Sequence, residues 1–397
     1  MQKILTAFII SSMLSPCMGF SQNRSIRFTE KTWAEIQSMA RKENKLIFLD
    51  AFASWCGPCK WMAANVFTND TVADYFNKTF ICAKIDMEKG EGITLARQFE
   101  VRAYPTLLFI DTAGNMVHKK VGASRKIRDY IDLGLKVQNP GECYAATLKR
   151  YNSGELDPAF IITHLINLKD AYLPITEPLK RYFETQKDGD LINQINWNII
   201  YGFSEDMNSR EFLYLVTHEK DFGLRYTGDS VLGKINQVYS WELNKLFRIK
   251  PFPQTSWDSL LDKIRKSGFS GANAVILDAQ LNLYSSQADT TKFVELAIRE
   301  VDRVYRDDYN KLNNVAWQVY SMSDDRKNLE MAAVWALRSI ELKEESFNCD
   351  TYSAILYKLG RKGEAIRMEK KAIELAKKAN VSTKNYEETL TRMQSGK

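Results

Sequence analysis

The chain has 397 residues, 45% of them hydrophobic, enough for one domain of ordinary size and a further core beyond it. Its 55 Lys and Arg against 49 Asp and Glu give a net charge of +6, or +5 once Lys3 is removed (6 − 1), and the two signs alternate throughout, so no basic stripe marks a nucleic-acid surface. There is no glycine-rich phosphate loop, and His118, His164 and His218 are spread singly through predicted strand and helices, in no pattern that suggests a triad or a metal site.

Lys3 followed by Ile4 to Leu14 is a charged start and an apolar run of about eleven residues, too short to span a bilayer and shaped like a signal peptide. Gly19 and Ser21 are small residues at positions −3 and −1 of a cut before Gln22, which assigns residues 1–21 to that segment. Leu14-Ser15-Pro16-Cys17 is a competing lipoprotein box in which proline fits poorly; lipid at Cys17 would anchor the chain to a membrane. No later stretch reaches eighteen unbroken apolar residues, so the mature chain is expected to be soluble, exported and periplasmic.

Trp33, Ile36, Met39 and Ala40 recur at helical spacing, and Leu46 to Phe52 reads as a buried strand. Trp55-Cys56-Gly57-Pro58-Cys59 follows directly. A helix beginning at Cys56 turns its unpaired N–H groups toward that sulfur and lowers the thiol pKa from about 8.5 toward roughly 7, which makes Cys56 the expected nucleophile. Cys59, one turn on, can reach back to cleave a mixed disulfide and complete a two-electron exchange. Pro58 has no N–H to donate but suits a first helical turn, so it stiffens the spacing. Half a zinc site is the alternative; a structural zinc needs four ligands, and Cys17, Cys82, Cys143 and Cys349 stand singly, so no metal is expected.

Phe80 to Ile85 reads as a second strand, Glu91 to Phe99 as a helix, and Thr106 to Ile110 and Met116 to Val121 as an antiparallel pair joined by the turn Asp111 to Asn115. Ser124 is expected to cap a closing helix that ends near Val137. Asp50 sits within an apolar strand, where burial disfavours its charge and raises its pKa, making it a candidate proton carrier for Cys59; an inert carboxylate at a strand end is the other reading.

The motif, the order βαβ then ββα, Asp50 six residues before Cys56, Tyr104-Pro105-Thr106 and Val121-Gly122-Ala123 together resemble the thioredoxin superfamily over roughly residues 28–137. The run from Val66-Phe67 through Asp86 and the strand from Thr106 to Asp111 are most similar to the soluble periplasmic domain of DsbD-type thiol:disulfide interchange proteins. The resemblance implies a cis peptide bond before Pro105, with Tyr104 pairing to an extended partner segment, and a docking face that includes Trp55, Gly57, Pro58, Ala103, Tyr104, Pro105 and Gly122. It also implies a lysine opposite the buried acid; four residues before Asp86 this chain has Cys82 instead, with Lys84 nearby. The Gly-Pro pair, with no histidine before the second cysteine, implies a reducing poise like thioredoxin's at about −270 mV. Isomerase or oxidase chemistry is the second choice.

Gln138-Asn139-Pro140-Gly141 reads as a boundary, dividing a thioredoxin-like domain at 22–138 from an all-α domain at 142–397. Within the latter, Trp197, Tyr201, Phe212 and Tyr214 are core candidates, and Pro251 and Pro253 interrupt the helices. From about Gly271 the segments pair as hairpins: Ala332-Ala333 through Leu342 matches Ala365-Ile366 through Leu375 at an offset of thirty-three residues, as in tetratricopeptide-like repeats, with a fainter third unit from Ala272 to Val304. Such hairpins expose a partner-binding groove; plain close packing of small alanines is the alternative. Cys143 and Cys349 are either buried thiols or a bridge.

The sequence therefore predicts an α/β thioredoxin fold followed by an all-α helical-hairpin domain, in an exported thiol:disulfide oxidoreductase without a cofactor. Its expected partners are disulfide-containing exported proteins and a membrane electron donor of DsbD or CcdA type, since a reducing dithiol in an oxidising compartment is exhausted after one turnover. The competing class is an adaptor whose helical domain carries the function and whose redox centre is auxiliary.

Overall fold

The structure is a computed structural model that describes residues 24–139 and 141–395. The expected signal peptide and Cys17 lie outside the described residues. Two compact units divide the chain, one through Lys187 and one from Asp188 onward.

The first unit opens with α1 (Trp33–Glu43), capped by Thr32, whose side chain accepts from the Glu35 N–H while Glu35 returns the bond. It continues with β1 (Ile47–Phe52), α2 (Gly57–Asn65), α3 (Asp70–Thr79), β2 (Ile81–Asp86), α4 (Gly92–Gln98), β3 (Thr106–Ile110), β4 (Met116–Val121) and α5 (Ile127–Gln138). The helix that begins at the cysteines ends at Asn65, and a separate helix, α3, follows it before β2. Val66 and Phe67 turn inward into the core, and Asn69 restarts the backbone by accepting from the N–H groups of Thr71 and Val72. Ser124 does not cap α5, which begins three residues later; its hydroxyl instead accepts from the Lys126 N–H and donates to Asp129.

The sheet order is β2-β1-β3-β4, with β1 and β2 parallel and the other pairings antiparallel. Side-chain alternation separates two cores. Ile47, Leu49, Ala51, Leu108 and Ile110 face Ile36, Leu95 and Phe99, whereas Phe48, Leu107 and Phe109 face Met62, Phe76, Tyr130 and Leu133. Gly92 admits no side chain, because a Cβ there would lie 2.1 Å from the Asp86 carbonyl oxygen where α4 starts against the end of β2.

Three more helices belong to this unit: α6 (Tyr144–Asn152), α7 (Pro158–Asp170) and α8 (Thr176–Glu184). The first two pack on β4, an edge strand that would otherwise offer its outer side to other chains. The Tyr144 N–H donates to His118 Nδ1 at 3.2 Å, and Lys120 Nζ meets Asp170 Oδ1 at 2.7 Å.

The second unit is helical: α9 (Gln194–Phe203), α10 (Arg210–Thr217), α11 (Glu219–Arg225), α12 (Gly228–Phe247) and α13 (Gln254–Lys266) precede a hairpin array. Trp197 and Phe212 are buried and Tyr214 is half-buried, but Tyr201 is 53% exposed, lying across the outer edge of Trp197. The array pairs α14 (Ala272–Ser286) with α15 (Thr290–Val304), α16 (Tyr309–Met322) with α17 (Arg326–Leu342) and α18 (Ser346–Lys358) with α19 (Lys362–Lys378); α20 (Lys384–Ser395) closes it. First helices start 37 residues apart (309 − 272 and 346 − 309), and α17 and α19 start 36 apart (362 − 326). The thirty-three-residue match therefore falls short of the spatial repeat by about one helical turn. Phe293, Ala297, Ala316, Ala332, Ala336 and Ile355 belong to one core running through the hairpins.

Candidate active site

Strand β1 ends at Phe52, and the chain turns through Ala53, whose carbonyl accepts from the Cys56 N–H at 3.0 Å. Cys56 is the N-cap of α2, and its Sγ accepts from the Cys59 N–H at 3.1 Å. An N-cap sulfur in that position receives both a directed donor and the positive end of the helix, the two conditions that favour a thiolate. Cys56 and Cys59 are joined as a disulfide, with 5.3 Å between their Cα atoms. Gly57 and Pro58 are exposed at the helix start, with Pro58 in the first turn. Cys56 itself is only 2% exposed, less than an attacking sulfur beside a docking tryptophan leads one to expect. Phe52, Ala53 and Tyr104 pack around the sulfur pair and cover it.

Asp50 is fully buried, and neither carboxylate oxygen has a hydrogen-bond partner among the described residues. Desolvation raises its pKa from 3.8 to about 6, and Lys84 opposes the rise. The family's lysine is thus present at an unexpected position. Asp50 and Lys84 are register partners across β1 and β2, their side chains share one sheet face, and Lys84 Nζ lies 3.5 Å from Asp50 Oδ2. The ammonium also sits 4.8 Å from the Phe52 ring centre and 5.8 and 5.9 Å from those of Phe67 and Phe28, so aromatic faces hold it beside the acid.

The Tyr104–Pro105 peptide bond is cis. Four hydrogen bonds fix the loop around it: Thr106 Oγ1 donates to the Ala103 carbonyl at 2.7 Å, the Gly122 N–H donates to the Pro105 carbonyl at 2.8 Å, and buried Lys119 donates to the carbonyls of Phe99 and Glu100. Gly122 has φ +93°, and a Cβ built there would meet nothing within 4 Å, so this edge of the site is open and its backbone favours glycine. Trp55 is 67% exposed; its ring stands edge-on to Tyr104 at 5.9 Å, and its Nε1–H donates to Glu88 Oε2 at 2.8 Å. Burial raises the Tyr104 pKa, with Glu88 and Asp86 adding to it.

The structure thus gathers Asp50, Trp55, Cys56, Cys59, Tyr104 and Pro105 at the carboxyl end of β1 and the loop before β3. Cys82 is a core thiol pushed up to about 12 by burial, and buried Cys349 is likewise pushed up to about 12. Cys143 is also buried. Among the described residues no group of three or more His, Cys, Asp or Glu side chains could hold a metal ion. Sequence reasoning missed Glu88 and Lys119, whose partners lie 33 and about 20 residues away. It also left Lys84 unassigned, although Cys82 and Lys84 necessarily share a face.

The family described as Thioredoxin matches residues 26–132. Thioredoxin H4 of Arabidopsis thaliana is 40% identical over 98 residues, which are 25% of this chain and 77% of that protein. The thiol:disulfide interchange protein DsbD of Yersinia pestis (strain Pestoides F) is 32% identical over 80 residues, 20% of this chain and 13% of that protein. A solution structure of a proposed disulphide-isomerase from Bacteroides thetaiotaomicron is 44% identical and covers 29% of this chain and 98% of its own, with a TM-score of 0.27. Through residues 26–132 and their Cys56–Cys59 pair, this chain belongs to the thioredoxin family and is a thiol:disulfide oxidoreductase.

Proposed function

We propose that the protein is an exported reductase of disulfides in envelope proteins, its helical unit serving to recruit them. The observation that carries the chemistry is the hydrogen bond from the Cys59 N–H to Cys56 Sγ at the N-cap of α2. In the reduced protein Cys56 attacks a partner disulfide as a thiolate, forming a mixed disulfide and releasing one partner sulfur. Asp50 takes the Cys59 proton, Cys59 attacks Cys56 Sγ, and the second partner sulfur leaves and is protonated. Two electrons pass to the partner, and the Cys56–Cys59 bond is left behind.

Tyr104 offers backbone to an extended partner segment beside Pro105, Trp55, Gly57, Pro58, Ala103 and Gly122 border it, and Glu88 positions the indole. A donor of DsbD or CcdA type would return the electrons, a role consistent with the name of the interchange relative. Export rests on residues 1–21, and the regular hairpin spacing supports a tetratricopeptide-like reading of residues 271–397. Insulin reduction driven by dithiothreitol tests the enzyme: the parent should produce turbidity well above background and Cys56→Ser should not. Equal background from both would end the reductase reading. Cys59→Ser should retain envelope proteins through bonds that dithiothreitol breaks, whereas partners retained in reducing agent would favour the adaptor.

A further inference from the structure

Between α16 and α18 the hairpin array encloses a cleft of about 340 Å³, and its walls carry chemistry the array does not need for packing. Trp317 leaves 44% of its surface in solvent. Asn313 lines the same cleft and is only 6% exposed, yet its Oδ1 accepts no hydrogen bond, which is uncommon for so buried an acceptor. Asp350 faces the cleft from α18, with Glu369 of α19 behind it. Glu369 is fully buried and interacts directly with the Asp350 carboxyl; burial, then the neighbouring Asp350 charge, holds its pKa up to about 8. The cation that acts on both acids is Arg392 on the exposed side of α20, where its guanidinium donates to Thr389.

Asn313 stands 37 residues before Asp350, so a polar residue recurs at that position of the repeat, whereas the buried acid behind it is particular to the last hairpin. Ala333 stands 36 residues before Glu369, and Ala316 stands 37 before Ser353, both inside the apolar core. An acidic ligand would meet the two carboxyl groups. An apolar helix would leave Asn313 Oδ1 without a donor and cover the Asp350 carboxyl, an outcome folded interfaces avoid. A cation suits the cleft-lining groups together: acceptors from Asn313 and Asp350, and an aromatic face from Trp317.

We propose that the α16–α18 cleft receives a basic side chain, lysine or arginine, carried on an extended segment of a partner protein, with the cation against the Trp317 ring and Asp350 and Asn313 as its acceptors. This deepens the recruiting role proposed above and rests on it. The test uses the full chain and two fluorescent cysteine-free peptides, identical except that lysines in one are alanines in the other, followed by anisotropy. The parent should bind the lysine peptide at least tenfold more tightly, and Asp350→Asn and Trp317→Ala should each weaken it about tenfold. Asn314→Lys, an exposed cleft position whose change leaves the core untouched, should abolish binding with insulin reduction unchanged. Equal binding of the two peptides, no binding by an active parent, or undiminished affinity in Asn314→Lys would overturn the assignment. A second pair of peptides carrying a disulfide separates the two ideas. If the lysine peptide binds selectively but is reduced no faster than its alanine counterpart, the cleft stands and the recruiting role falls.

Discussion

Replacing Asp50 with asparagine should stabilise the first unit at neutral pH while slowing its chemistry. Burial lifts the Asp50 pKa from 3.8 to about 6 although Lys84 Nζ lies 3.5 Å away, and unfolding returns it to the ordinary value. Between those values the native state keeps a proton that the unfolded chain has released. The stability contributed by the neutral acid is therefore complete below about 3.8 and is lost as pH rises through about 6. A displacement of 2.2 (6 − 3.8), at about 1.36 kcal/mol each, is about 3 kcal/mol. Because Asp50 is fully buried, solvent screening does not reduce that figure. Asparagine preserves the shape and carries no charge, so the stability of Asp50→Asn minus that of the parent should be near zero at pH 4 and about 3 kcal/mol above pH 7. Hydrogen exchange of the β1 and β3 amides, compared at matched pH so that intrinsic rates cancel, measures this difference in the full chain. Turnover should fall about a hundredfold at the step in which Cys59 resolves the mixed disulfide. A difference that does not change with pH, or a variant less stable than the parent at pH 8, would refute the claim that desolvation outweighs Lys84 at this carboxyl.

Lys84→Met removes the opposing cation, so the Asp50 carboxyl should titrate about one unit higher, read by carboxyl NMR, and the first unit should lose stability at pH 8. Burial depresses the His118 pKa from 6.5 to about 3, and a base depressed in the native state contributes stability that is present above 6.5 and lost as pH falls toward 3. His118→Gln should flatten that acid loss in β4 hydrogen exchange; an unchanged acid slope would assign the loss to other groups. Glu88→Ala should free the Trp55 indole, raising KM for a protein disulfide several-fold with little change in kcat, a split that steady-state insulin kinetics resolves. A fragment ending at 139 exposes the outer side of β4 and should self-associate in light scattering more than one ending at 187.

The parts of this fold that depend on neighbours in sequence could be read there, and the parts that depend on register or on distant partners could not. Cys56, Pro58 and Cys59 act within one helical turn, so their geometry follows from spacing alone. Asp50 was recognisable because an acid inside Ile47 to Phe52 has few explanations. Its partner Lys84 was not, since knowing that Cys82 and Lys84 share a face of β2 does not say which face of β1 they meet; that takes the pairing of Phe48 with Cys82. The link from Trp55 to Glu88 spans 33 residues and leaves no periodic trace. Helices α6 and α7 read correctly as helices, but amphipathic spacing does not say what their apolar sides cover, and β4 is the answer only once the sheet order makes it an edge. The same limit applies to Asn313 and Asp350, which sit on separate helices and become a site only when the 37-residue repeat stacks them.

In the proton transfer proposed for Asp50, the pairing with Lys84 would make the acid usable rather than merely unfavourable. Burial without a cation would raise the carboxyl further and leave less of it ionised at neutral pH to accept the Cys59 proton; full solvation would leave it at 3.8, too weak a base to accept one. Lys84 is held beside it by the rings of Phe28, Phe52 and Phe67, which attract an ammonium without neutralising it, so the cation tempers the desolvation without cancelling it. The result is a carboxyl at about 6, close enough to neutrality to gain and release a proton within one exchange cycle. That balance requires the aromatic cradle as much as the two charges. Phe52→Ala, which removes no charge but takes away the ring closest to the Lys84 ammonium, should therefore shift the Asp50 titration as Lys84 gains freedom, whereas substitution of Phe109, in the core with Phe48 and Phe76, should lower stability and leave the titration where it is.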